Sequence, residues 1–218
     1  MGEGIAHIIS PLSAPWCGWV MLGLLVCAAL SEFFQSGIIT QAPASLQVRT
    51  DRLYKEAPDN FLGQTCINIF RFGTVAMMLC VSFVGKGSFT FLTYLAVNAL
   101  ILAVMGVKML CNILLDYTFT LSRRFGAMHE HYSNIATLVT LLLWPVVLIL
   151  MHIGTPEACR WTMAIVAFVF IALWVYRSGA QYIRKPVAVL YMLIYWCTLE
   201  ILPLAVLIYL SEITITTI

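Results

Sequence analysis

The run Phe61–Val84, FLGQTCINIFRFGTVAMMLCVSFV, decides how this chain is read. A helix of about 20 residues crosses the roughly 30 Å of hydrocarbon in a bilayer, and this run is long enough to do so. One ion interrupts it, Arg71. A lone arginine in a spanning helix costs about 2.5 to 3.5 kcal/mol on insertion scales, so it is expected to face the interior of a bundle and to have a partner there. The run therefore predicts both a membrane-spanning helix and other helices around it.

Working outward, five more runs meet the same test: Trp16–Phe34, Phe89–Leu115, Asn134–His152, Trp161–Tyr176 and Val187–Leu210. Composition agrees, with 61% hydrophobic and 10% charged residues where soluble domains carry about 45–50% and about 25%. The expected fold class is all-α integral membrane. It is a bundle of six transmembrane helices in a single membrane domain covering residues 1–218, with the lipid bilayer as its first partner. Pro15 and Pro186 suit first-turn positions, and Pro58-Asp59-Asn60 supplies a turn and a cap. Gly85-Lys86-Gly87-Ser88 predicts a tight turn and an antiparallel hairpin of the second and third spans. The fifth span is short unless Arg160 and Arg177 snorkel at its ends. Pro145 predicts a kink in the fourth.

Cytoplasmic loops retain Lys and Arg. Arg49, Arg52, Lys55, Arg123, Arg124, Arg177, Arg184 and Lys185 fall in the odd-numbered loops, and only Lys86 and Arg160 in the even-numbered ones. This asymmetry puts both termini on the non-cytoplasmic side. Trp16, Trp19 and Trp161 then lie at the outer interface, with Tyr117, Tyr132, Tyr176 and Tyr182 at the inner one. No Lys or Arg precedes the first apolar run, so a cleavable signal peptide is not expected, and Ala6 breaks the myristoylation pattern.

Several functions are disfavoured. A net charge of +2 with scattered basic residues does not suggest nucleic acid. The seven cysteines include no CxxC pair and read as reduced packing residues. His129-Glu130-His131 is not HExxH, since i and i+2 do not share a helix face; it reads as a solvated loop, with no metal, and His152 as interfacial. No phosphate loop, catalytic triad, paired carboxylates or haem motif occurs, so no cofactor and no conventional active site are expected. No internal repeat of the transporter kind is visible.

The polar residues within spans carry what remains. Arg71 lies about 15 Å from the inner end of its span, Asn98 about 14 Å from an outer end, and Glu200 roughly 20 Å from an inner end, which puts all three near the midplane. Depth and charge make Arg71 with Glu200 the economical pair. Pro203, lacking an N–H, frees the Leu199 carbonyl beside Glu200, and Thr198 adds a hydroxyl. One reading makes this pair a staple between spans two and six; the other makes Glu200 a proton-carrying or substrate-binding carboxylate. Lys108, Asn112 and Asp116 share one face at the cytoplasmic end of span three, either as a solvated helix end or as a vestibule leading to the midplane.

Two short segments, LYKEAPDNF (Leu53–Phe61) and CTLEILPL (Cys197–Leu204), together with the six-span layout, resemble a family of bacterial inner-membrane proteins catalogued as domain of unknown function 4271. The resemblance covers roughly Leu46 to Leu210 and points to Tyr54, Glu56, Pro58, Arg71, Glu200 and Pro203. It implies a multi-pass bacterial inner-membrane location and no particular activity. The expected function is then a non-enzymatic partner or assembly component of an envelope system, with other membrane or envelope proteins as its partners. The alternative is a small transporter or lipid-handling protein using the Arg71/Glu200 region, and a third reading is an intramembrane enzyme on a lipid-borne substrate.

Overall fold

The computed structural model describes residues 15–37, 39, 43, 60–83, 90–119, 122–153, 155–182 and 202–217. These form six helices: α1 (Pro15–Phe34), α2 (Phe61–Ser82), α3 (Phe91–Phe119), α4 (Ser122–Ile153), α5 (Pro156–Tyr182) and α6 (Leu202–Thr217). No strand occurs among the described residues. Five helices contain stretches long and apolar enough to cross a membrane: Trp16–Phe34, Phe61–Ser82, Phe91–Cys111, Tyr132–His152 and Glu157–Tyr176. The described part of the expected sixth span, Leu202–Thr216, is a shorter apolar helix that runs past Leu210; residues 187–201 lie outside the described set, as do 84–89, where the hairpin turn was expected.

Start signals account for the helix beginnings. Asn60, extended at φ −93°, accepts from the Leu62 N–H as the N-cap of α2. Its amide nitrogen also donates to the Phe34 carbonyl at 2.9 Å, satisfying a C-terminal group of α1. Glu32 closes the other side of that junction, accepting from the Gly37 and Ile39 N–H groups at 2.7 and 2.8 Å. Gly37 has φ 106°, which a residue without Cβ adopts freely. Thr90 caps α3 through the Thr93 N–H, and Thr155 caps α5 through the Ala158 N–H.

Two sequence expectations need correcting. The fourth helix begins at Ser122, not near Asn134, so Arg123, Arg124 and His129-Glu130-His131 stand on a helix instead of in a loop. SRRFGAMHEHYS is polar but rich in residues that tolerate a helix, and apolar runs mark where lipid begins, not where a helix begins. The fifth helix is likewise longer than Trp161–Tyr176, running Pro156–Tyr182. Thr-Pro-Glu at 155–157 is an N-cap, a first-turn proline and an acidic first-turn residue. Pro145 lies inside α4, which continues through it.

α2 is the axis of the bundle. It packs against every other described helix, and 67% of its membrane-length window is buried, against 17% for α3 and 11% for α5. Between helices in lipid, close van der Waals packing and interhelical hydrogen bonds replace the hydrophobic drive. Gly73 shows the tightness of fit: a Cβ there would lie 2.4 Å from Leu24 Cδ2 of α1 and 3.0 Å from the Tyr94 hydroxyl of α3. Phe70, Ile67 and Met77 of α2 are fully enclosed, with Met21, Val97 and Val147 around them. Arg160 Nε of α5 donates to the Ser82 carbonyl at 3.2 Å, covering the C-terminal end of α2. Cys17, Cys27, Cys66, Cys80, Cys111 and Cys159 are free thiols.

Candidate functional site

Arg71 sits in the middle of α2 and is 8% exposed. Its guanidinium donates from Nη1 to Asn68 Oδ1 at 3.2 Å, one turn back on its own helix. From Nη2 it donates to Ser133 Oγ at 2.9 Å and to Thr137 Oγ1, both on α4. Thr137 in turn donates to the Ser133 backbone carbonyl one turn back. Arg71 Nε is buried and has no hydrogen-bond partner among the described residues. The described partners of this buried cation are thus all neutral, and none of them accepts from its Nε–H. A buried charge held only by dipoles retains much of its desolvation cost.

The partners also locate the group along the bundle. Tyr132 opens the apolar stretch of α4, and Thr137 is only about 7.5 Å further along the helix. The guanidinium therefore reaches toward one end of α4's apolar stretch.

A second cluster adjoins the same turn of α4. Lys108 Nζ of α3 lies 4.1 Å from the centre of the Tyr132 ring, a cation–π distance. Phe170 and Trp174 of α5 meet Tyr132 edge-on, with centroids 5.3 and 5.4 Å away. Trp174 is 3% exposed, and its Nε1–H has no acceptor among the described residues. Lys108, Tyr132 and Trp174 all stand near one end of the apolar stretches of their helices.

The remaining expected site residues are distributed as follows. Asn98 donates its amide to the Tyr94 carbonyl of its own helix at 3.1 Å. Pro203 is the second residue of α6. Asn112 and Asp116 lie on α3, with their side chains outside the described set. Glu200, Tyr54, Glu56 and Pro58 lie outside it altogether. Asn68, Ser133, Thr137 and Trp174 are new to the site. Asn68 at i−3 from Arg71, and Ser133 and Thr137 at i, i+4, were visible as spacings, but neutral hydroxyls raise no alarm in an apolar run.

The described fold is all-α, with five helices long and apolar enough to cross a membrane. The chain belongs to a specific family, described as domain of unknown function (DUF4271), whose model matches residues 18–210. No curated protein and no solved structure matches it.

Proposed function

We propose that the chain is a six-span protein of the bacterial inner membrane, with both termini on the non-cytoplasmic side. We further propose that it binds and handles an anionic or lipid-like substrate around Arg71 and does no covalent chemistry. The distribution of Lys and Arg among the loops supports the orientation, and the family resemblance supports the membrane. The observation that carries the functional reading is Arg71 itself: a buried guanidinium between two helices, with neutral described partners, none of which accepts from its Nε–H. An ion in this setting is usually functional. Glu200 is the internal candidate for its counter-charge.

Accessibility tests the reading. In a cysteine-free background, single cysteines at positions 68, 71 and 133 should react with a water-soluble maleimide from the cytoplasmic side. Protection of all three in the folded protein would make Arg71 a closed staple and end the substrate reading. A C-terminal alkaline phosphatase fusion should be active; an inactive fusion with an active cytoplasmic reporter would reverse the orientation.

A second reading, a non-enzymatic partner in an envelope assembly, is favoured by the outward face of α5. There Trp161, Ile165, Phe168 and Tyr176 are all exposed along one side. Gentle-detergent pulldown with mass spectrometry tests it: a stoichiometric membrane protein lost on Phe168→Ala with Ile165→Ala supports an assembly, and recovery of the chain without one favours lipid on that face.

A further inference from the structure

The start of α5 meets the end of α2. Glu157 is the first residue of the membrane-length stretch of α5, and Ser82 is the last of that in α2. Arg160 Nε donates to the Ser82 carbonyl at 3.2 Å, which ties the two helix ends together and holds the guanidinium at this level. That bond occupies one donor; Nη1 and Nη2 carry the other four N–H groups, and none of them donates to a described residue. Glu157, exposed, makes no hydrogen bond or ion pair with a described residue either.

Cys159 marks the side of α5 that faces the core, being 1% exposed. Glu157, Arg160 and Trp161 stand at i, i+3 and i+4 on the side away from it. Together they line an open cavity of about 450 Å³, a size within the range of about 300 to 1,000 Å³ of small-ligand sites. Opposite charges at i and i+3 are near enough to pair, yet no ion pair joins these two, and Arg160 is held toward Ser82 instead. One cavity therefore presents a cationic donor, an anionic acceptor and an indole.

We propose that Glu157, Arg160 and Trp161 form a site for the headgroup of a zwitterionic phospholipid that carries a primary ammonium group. The phosphate accepts from the Nη N–H groups of Arg160, and the ammonium, a short carbon link away, donates to the Glu157 carboxylate. A purely anionic headgroup would meet repulsion from Glu157, and a purely cationic one from Arg160. Trp161 is 72% exposed, at the level where indoles sit among lipid headgroups. Ile165 and Phe168, 58% and 73% exposed, continue the same side of α5 from Trp161 and give an acyl chain an apolar track that a soluble phosphate ester would not use. The site lies roughly 16 Å along α2 from Arg71 and stands independently of the reading of that residue.

The test uses the full chain purified in neutral detergent. Phosphatidylethanolamine, phosphatidylcholine, phosphatidylglycerol and free phosphoethanolamine are titrated separately by native mass spectrometry and by thermal stability. Phosphatidylethanolamine should bind saturably and more tightly than the other three. Arg160→Met should weaken it about tenfold or more, and so should Glu157→Gln. Glu157→Gln replaces an exposed side chain and should leave the melting temperature of the free protein nearly unchanged, so it decides the matter alone if Arg160→Met fails to fold. It should also erase the preference over phosphatidylglycerol, a change that a merely structural role would not produce.

The proposal is overturned if phosphatidylethanolamine does not bind saturably, or if it binds folded Glu157→Gln as tightly as the native chain. Equal binding of phosphatidylglycerol to the native chain would make Arg160 a plain anion contact and overturn the zwitterionic site. Free phosphoethanolamine binding as tightly as the lipid would overturn the lipid as its source.

Discussion

Arg71 and Ser133 lie 62 residues apart in sequence, yet Nη2 of one donates to Oγ of the other at 2.9 Å inside the bundle. The bond joins α2 to α4 through a buried cation, and it makes Ser133 and Thr137 the acceptors on which that cation depends. Replacing both, as Ser133→Ala with Thr137→Val, should lower unfolding stability by about 1 to 3 kcal/mol, because the charge stays buried with fewer partners. Arg71→Met removes charge and acceptors' need together and should cost less than that double variant. Thermal melts in detergent compare them directly; a larger loss for Arg71→Met would mean the guanidinium is a net structural contributor.

Gly73 should tolerate no large side chain. Gly73→Leu should destabilise by about 1 to 3 kcal/mol through overpacking against Leu24 and Tyr94. Leu24→Ala in the same chain should recover part of the loss, since the nearest atom is a leucine methyl. Failure of that rescue would place the clash elsewhere.

Asn60 serves two helix ends, through Leu62 N–H and the Phe34 carbonyl. Asn60→Ala should cost about 0.5 to 2 kcal/mol, while Asn60→Asp, which keeps the cap but loses the amide donor, should fall between. Equal melting temperatures for all three proteins would show that the junction contributes nothing.

The free cysteines offer a map of packing. Cys17, Cys80 and Cys159 are 1 to 2% exposed, and Cys27, Cys66 and Cys111 are partly open. Thiol labelling in mild detergent, read by peptide mass spectrometry, should modify the second group well before the first. Early labelling of Cys80 would contradict the enclosure of α2.

How far the fold could be read in advance differed from helix to helix, for physical reasons. Hydropathy located α1 and α2 to within a residue or two, because there the apolar run and the helix coincide. At α4 and α5 they do not coincide: lipid sets the first and backbone hydrogen bonding the second, and Thr155-Pro156-Glu157 carried the missing signal. Arg71 was legible because an ion in an apolar run is costly wherever it lies. Its neutral partners were not, since a serine or threonine in a spanning helix can satisfy itself on its own backbone, as Thr74 and Thr140 do. The Trp174 donor was hidden for a related reason. Tryptophan is counted as apolar, and only the packed bundle reveals an N–H without an acceptor among the described residues.

The central place of α2 bears on how the protein is made. This helix leaves the ribosome before α3 to α6, but the hydroxyls that hold Arg71 belong to α4, and the arginine that covers its last turn belongs to α5. Until those later segments emerge, the nascent chain carries an arginine to which α1 offers no described hydrogen bond. The helix synthesised early is thus among the last to reach its final surroundings.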